Sequence, residues 1–194
     1  MKKPNGNKVY RKLYIETSIQ KVAEVLFLFP EKEFSLSDLA KEAGVAKANM
    51  GKILDELYKI EFIKIIKLSK IWRIKANQTS QNFIKNKIIY NLNSLYQSGL
   101  IEFVNEYYNN PKAVILFGSF RKGDDISDSD VDIAIEIDEI EDYKLIVRKH
   151  LSKFENAIGR KIQIHLFNKH IVDINVFNNF ANGIVLSGFL EVRP

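Results

Sequence analysis

The chain has 194 residues, a net charge of +5, 46% apolar and 27% charged residues, and no cysteine. That length allows one large domain or two small ones, and the composition is that of a globular protein. Without thiols, disulfides, thiolate nucleophiles and zinc–thiolate centres are excluded, so a metal must be held by Asp, Glu, His or carbonyl oxygen.

The charge is uneven. Residues 1–76 carry 16 Lys and Arg against 9 acids, a net of +7, and residues 77–194 carry 13 against 15, a net of −2. A basic half joined to an acidic one suggests a nucleic-acid-binding module fused to something else, although solvated lysines give the same count. The start, Met1-Lys2-Lys3-Pro4-Asn5-Gly6-Asn7, has no apolar stretch behind it and does not read as a signal peptide. The longest apolar run, Val25-Leu26-Phe27-Leu28-Phe29, is too short to span a bilayer. A cytoplasmic protein without a membrane partner is the expectation.

Residues 1–14 read as a basic tail. A helix from Ser18 to Phe29 follows, with Val22, Val25, Leu26 and Phe29 on one face and Pro30 ending it. Ser37 is the expected N-cap of a short helix, Asp38–Ala43, stopped by Gly44. A third helix, Lys47–Ile60, carries the stripe Met50, Ile53, Leu54, Leu57, Ile60. Phe62–Ile66 and Ile71–Ile74 read as two strands joined by the turn Lys67-Leu68-Ser69-Lys70.

Three helices and a hairpin make a winged helix-turn-helix. Leu36-Ser37-Asp38-Leu39-Ala40-Lys41-Glu42-Ala43-Gly44-Val45 resembles the first half of that motif in many bacterial and archaeal regulators, and the resemblance covers about residues 18–76. On it, Lys47, Ala48, Gly51 and Lys52 form the exposed side of the third helix, small and basic enough to approach a DNA groove. Lys67, Ser69 and Lys70 at the wing tip meet phosphates. Asp55 and Glu56 interrupt the basic stripe. Winged helices also serve as protein-interaction or dimerisation modules, and a homodimer is expected from the pairing of half-sites.

Residues 79–109 read as helical, with the stripe Ile84, Ile88, Leu92, Leu95, a break at Gly99, and a second stripe Leu100, Val104, Tyr107. The tyrosines Tyr90, Tyr96, Tyr107 and Tyr108 read as core and rim packing. The expected division is therefore a tail 1–14, a winged helix 15–78, linking and packing helices 79–109, and an α/β domain 110–194. The fold class is α+β.

Beyond Pro111 the residues carry chemistry. Val114-Ile115-Leu116-Phe117 reads as a buried strand closed by Gly118-Ser119, and ten residues later Asp130-Val131-Asp132 opens the strand Ile133-Ala134-Ile135. Residues i and i+2 of a strand share a face, so Asp130 and Asp132 aim at one point. Two such charges repel unless a cation sits between them. Oxygen-only ligands suit Mg²⁺, which keeps waters and takes substrate phosphates as further ligands. The Gly118-Ser119 turn offers N–H groups and a hydroxyl to a phosphate chain. Together these make a phosphoryl or nucleotidyl transfer site. The competing reading, an acidic surface loop after a buried strand, leaves unexplained a charge at Asp132 inside an apolar run.

Gly118-Ser119-Phe120-Arg121-Lys122-Gly123-Asp124 followed by Ser129-Asp130-Val131-Asp132 resembles the signature of the nucleotidyltransferase superfamily that includes DNA polymerase beta, in its minimal prokaryotic form. The resemblance covers about residues 111–185. It implies Asp130 and Asp132 as catalytic metal ligands, Gly118, Ser119, Arg121, Lys122 and Ser129 as nucleotide-binding residues, Mg²⁺ as cofactor and a nucleoside triphosphate as substrate or ligand. It also implies a protein or small-molecule hydroxyl as acceptor. Similar small transferases act as antitoxins that nucleotidylate a partner toxin, with the same ten-residue spacing.

The remaining elements are an amphipathic helix Tyr143–Ile158 (Val147, Leu151, Phe154, Ile158) stopped by Gly159, a parallel strand Lys161–Phe167, a helix Val172–Phe180 and a strand Gly183–Leu186. They imply a small mixed sheet with helices on one side. Active members of the resembled family hold a third carboxylate on the strand after the crossover helix, where this chain has the neutral Gln163. Glu136, about 13 Å along the strand from Asp132, is too far to replace it. His165 shares the face of Gln163, but a lone strand histidine is more often packed or solvated than catalytic. The alternative to a working transferase is a DNA-binding regulator whose second domain only senses or scaffolds a nucleotide.

Overall fold

The computed structural model describes residues 17–68, 71–146 and 149–192. The basic tail expected over 1–14 lies outside the described residues. The fold is α+β, and the chain divides between Tyr90 and Asn91 into two compact units.

In the first unit, α1 (Ser18–Leu28) starts at a capping box in which the Thr17 side chain accepts from Gln20 N and Gln20 answers the Thr17 N–H at 2.8 Å. The short helix α2 (Leu36–Ala43) begins earlier than expected. Ser35, not Ser37, is its N-cap: Ser35 Oγ accepts from Asp38 N at 3.1 Å and donates to Asp38 Oδ2 at 2.7 Å. The acidic residue three positions on makes Ser35 the better cap, because both side chains close on each other. Gly44 ends α2 in the left-handed region. Helix α3 (Lys47–Lys59) buries Met50, Ile53, Leu54 and Leu57. Strands β1 (Ile63–Leu68) and β2 (Ile71–Ala76) pair antiparallel, and Phe34 bridges to Ile74. This is a winged helix-turn-helix. Its core is aromatic: the rings of Phe27, Phe62, Phe83 and Tyr90 lie 5.0–5.5 Å apart.

Helix α4 (Gln81–Ser98) spans the division between the units. Its fully buried stripe is Phe83, Lys87, Asn91 and Leu95, rather than Ile84, Ile88, Leu92 and Leu95. The apolar reading skipped two polar residues that go inside. Ile89, by contrast, is 65% exposed.

In the second unit, Gly99 breaks the helix and α5 (Leu100–Tyr107) follows. A five-stranded mixed sheet then forms from β3 (Ala113–Phe117), β4 (Val131–Glu136), β5 (Lys144–Ile146), β6 (Ile162–Phe167) and β7 (Ile184–Gly188), in the order β5-β6-β4-β3-β7. Only β4 and β6 pair in parallel. Helix α6 (Gly118–Lys122) follows β3 directly, α7 (Ser152–Ile158) precedes β6, and α8 (Ile174–Ala181) precedes β7. Val114, Leu116, Ile133, Ile135, Ile162 and Ile164 pack with residues of α5 and α7, while Ala113, Ile115, Ala134 and Phe167 pack with Phe180 of α8. Helices thus lie on both faces, not on one.

The long helix expected over Tyr143–Ile158 is the largest departure. Lys144–Ile146 is instead an edge strand antiparallel to β6, and a 3-10 turn (Lys149–Leu151) leads into the seven-residue α7. Val147 lies outside the described residues. The helical period holds only from Leu151 onward, and the open edge of β6 recruits the preceding segment through backbone pairing. Among the described residues no helix is long and apolar enough to cross a membrane.

Candidate active site

The site is built at the start of β4. Strand β3 delivers Phe117 opposite Asp132 in antiparallel register, and the chain turns at Gly118 with φ of 73°. Two constraints meet at this glycine. The positive φ disfavours any side chain. A Cβ there would also lie 3.1 Å from Asp132 Cγ and overlap its Oδ2. The Gly-Ser turn and the second carboxylate are therefore in direct apposition, although eleven residues of loop and helix separate Asp130 from Gly118.

Register brings in β6. In the parallel ladder Asp132 stands beside Gln163 and Ala134 beside His165. The Gln163 amide donates from Nε2 to Asp130 Oδ2, which puts Asp130 on the same face as Asp132, one residue ahead of β4. His165 points its Nε2 at Asp132, 3.5 Å from Oδ1; the nitrogen is buried and forms no hydrogen bond. Its Nδ1 is paired with the Tyr143 hydroxyl. The tautomer with its proton on Nε2 would face the carboxylate with a donor and leave Nδ1 to accept from the phenol. Phe117 meets the imidazole edge to face at 4.9 Å and Phe180 packs on Phe117 at 4.8 Å. Burial raises the Tyr143 pKa above the ordinary phenol value, and the charge of Asp132 adds to the rise, so Tyr143 is a neutral donor at this site.

The other residues singled out in the sequence lie close by. Ser119 is the second residue of α6; Arg121, half-buried, and Lys122, exposed, occupy its last turn. Ser129 uses its hydroxyl within the loop: Oγ accepts from Ile126 N at 2.9 Å, and Ser129 N donates to Ile126 O at 3.0 Å.

Three residues missed in the sequence hold the loop between the turn and the carboxylates. Asp125 is fully buried. Asn91 donates both amide hydrogens, to Asp125 Oδ1 at 2.9 Å and to the Phe120 carbonyl at 2.8 Å. Arg160, also buried, places Nη2 3.7 Å from Asp125 Oδ2. In the sequence Asp125 is one of several acids in a row. The one available signal was the i, i+4 spacing of Asn91 between Lys87 and Leu95 on one helical stripe.

Among the described residues no three His, Asp or Glu side chains converge on a point that could hold a metal. What the site offers a divalent ion is the pair Asp130 and Asp132. Two hard carboxylates on one face, open to solvent and beside a turn of backbone N–H groups, fit a Mg²⁺-like ion completed by water and phosphate oxygens.

On the winged helix, Lys47, Ala48, Gly51 and Lys52 are all exposed on α3, and nothing lies within 4 Å of where a Gly51 Cβ would be. Ala46 at the N-cap gives α3 no side-chain cap, so its first N–H groups lack a side-chain acceptor. Along β2, Arg73 and Lys75 both pair with Glu33, Lys75 at 3.6 Å. All of Lys70 and the side chain of Lys67 lie outside the described residues.

Residues 99–188 match the family described as Polymerase beta, Nucleotidyltransferase. That span holds the whole five-stranded sheet and contains Gly118, Ser119, Asp130 and Asp132. Among solved structures, the crystal structure of Adhesin competence repressor (AdcR) from Streptococcus pyogenes is similar over 53% of this chain and 69% of that one, at 14% identity and a TM-score of 0.31. A likeness that low carries no argument. No curated protein matches the chain significantly.

Proposed function

We propose that the C-terminal unit binds a nucleoside triphosphate with a divalent ion and transfers its nucleoside monophosphate to a hydroxyl, while the winged helix binds DNA. The observation that carries this reading is the apposition of the Gly118 turn and Asp132, with Asp130 on the same face. A divalent ion such as Mg²⁺ held by Asp130 and Asp132 supplies charge neutralisation across the phosphates. The N–H groups at Gly118 and Ser119, next to those carboxylates, suit the β- and γ-phosphates. Arg121 and Lys122 at the end of the same short helix add positive charge, and Ser129 holds the loop that delivers Asp130. The acceptor oxygen attacks the α-phosphorus in line, the bond to the β-phosphate breaks to release pyrophosphate, and the acceptor's proton passes to solvent water. A protein acceptor, as for an antitoxin that modifies its toxin, ranks above a small molecule. A cytoplasmic homodimer fits paired DNA half-sites.

One observation favours a second reading. The third-carboxylate position is an amide whose N–H₂ is turned onto Asp130, and an amide cannot take a proton from an acceptor. A nucleotide sensor attached to a DNA-binding regulator needs no such base.

Isothermal titration with Mg²⁺ and each nucleoside triphosphate, run beside a labelled-nucleotide transfer assay on neighbouring gene products, separates the two. Binding with transfer supports the enzyme, and binding without transfer supports the sensor. Unchanged Mg²⁺–nucleotide affinity in Asp130→Asn and Asp132→Asn sinks both. For the winged helix, DNA affinity should fall steeply between low and moderate salt, and more gently in a Lys47→Ala, Lys52→Ala double variant. No binding at low salt makes that unit an interaction module.

A further inference from the structure

Gln163 sits where a divalent-ion site of two carboxylates would need its third. It stands directly beside Asp132 in the β4–β6 ladder. Its side chain is not idle there, since the amide nitrogen is hydrogen-bonded to Asp130 Oδ2. An amide N–H₂ is a donor only, so that end of Gln163 cannot ligate a cation. The amide carbonyl points away from the oxygen its nitrogen contacts, because both are fixed on one planar carbon.

We propose that Gln163 makes this a one-ion site: its amide fixes Asp130, as a second ion bridging that carboxylate would, and leaves a single divalent ion to bind with the nucleotide. The proposal rests on the nucleotide-binding reading given above. Charge counting points the same way. Asp130 and Asp132 together carry two negative charges, which one divalent ion balances. A second ion would have no carboxylate of its own, and the Gln163 amide already gives its nitrogen to Asp130. Glu136, the next acid along the face, is at the far end of β4. His165 offers a nitrogen, a poor ligand for a hard ion, already facing Asp132 at 3.5 Å. Among the described residues no group of three acidic or imidazole side chains is arranged to hold a metal ion.

The consequence concerns the two halves of the transfer chemistry differently. One ion is enough to dock the phosphates and neutralise the leaving group. Ionising an acceptor hydroxyl is the task for which two-ion sites use their second metal. This chain would therefore hold the nucleotide well and activate the acceptor poorly.

Mn²⁺ serves as a paramagnetic probe in place of Mg²⁺. The full chain is titrated with Mn²⁺ in the presence of each of the four α,β-methylene ribonucleoside triphosphates, which cannot be cleaved at the α-phosphorus, and bound ion is counted by electron paramagnetic resonance. One Mn²⁺ per chain with an uncoupled spectrum is expected. Gln163→Asp should bind two, with the spin coupling of ions about 4 Å apart. Gln163→Glu provides the same test should Gln163→Asp fail to fold. Two ions in the unaltered protein, or one ion in a folded carboxylate variant, overturns the proposal and leaves nucleotide binding standing. No Mn²⁺–nucleotide binding at all overturns the parent reading and takes this one with it.

Discussion

Strand β4 carries acids at both ends of one face, and their fates differ. Asp132 at the start is partly exposed, backed by the Gly118 turn, flanked by Gln163 and faced by His165. Glu136 at the other end is 1% exposed, and neither of its carboxyl oxygens has a hydrogen bond. Burial raises its pKa, and Lys169 and Lys112 only partly counter the shift, since Lys169 pairs with Glu191 and Lys112 with Asp138 at 2.6 Å. An acid inside an apolar strand is therefore not a site by itself. What separates the two ends is what surrounds the charge: solvent, a backbone turn and a donor amide at one, apolar burial at the other.

The sharpest way to break the contrast is to remove the charge at the working end. Asp132→Asn keeps the shape of the side chain and should lower Mg²⁺–nucleotide affinity by on the order of 100-fold or more, since even outer-shell partners of a metal cost 10- to 100-fold. Titration calorimetry reads it directly. Gly118→Ala attacks the same end through the backbone. A left-handed φ costs an L-residue about 1–2 kcal/mol, and the added methyl collides with Asp132. We expect a lower melting temperature together with weaker nucleotide binding. A variant that melts lower yet binds normally would mean that the turn is structural and not part of the nucleotide site.

Asn91→Ala tests whether the loop is held from beneath. The change deletes the donors to Asp125 Oδ1 and to the Phe120 carbonyl, and leaves a buried carboxylate with one partner fewer. A loss of about 1–3 kcal/mol in chemical denaturation is expected. Nucleotide affinity should also fall, because the loop from Gly123 to Asp130 delivers the first carboxylate. Asn91→Asp, which turns a donor into a charge facing Asp125, should be worse than alanine.

How much of this was legible beforehand follows the range of the interactions involved. The turn Gly118-Ser119 and the period-2 pair Asp130 and Asp132 are local patterns, whereas the place of Gln163 beside them followed from the family resemblance and the strand–helix–strand crossover. The α3 stripe of the winged helix was plain for the same reason at Met50, Ile53, Leu54 and Leu57, but Ile60, expected to complete it, is the C-cap and is exposed. The contact of Asn91 with Asp125 joins residues 34 apart in sequence, and no periodicity encodes it. The helix expected over Tyr143–Ile158 failed because pairing with β6 overrode the local pattern at Lys144–Ile146. That error hid Tyr143, whose hydroxyl reaches His165 only from the end of an edge strand. Ser35 took the cap from Ser37 on the strength of one side-chain pair with Asp38.

The far end of β4 gives the smallest expected effect and the cleanest sign. Glu136 has a folded pKa raised above the ordinary 4.5. Below the unfolded value the carboxyl is protonated in both states and costs nothing. As pH climbs from there through the folded pKa, the unfolded chain gives up its proton first, so stability falls across that window and stays lowered above it. Glu136→Gln removes the titration while keeping the volume. It should raise stability at pH 7 by about 1 kcal/mol, and its advantage over the native chain should vanish near pH 4. The same substitution should leave Mg²⁺–nucleotide affinity unchanged, since the group lies at the opposite end of the strand from Asp132. An affinity that moved with Glu136 would join the two ends into one electrostatic unit and remove the contrast between them.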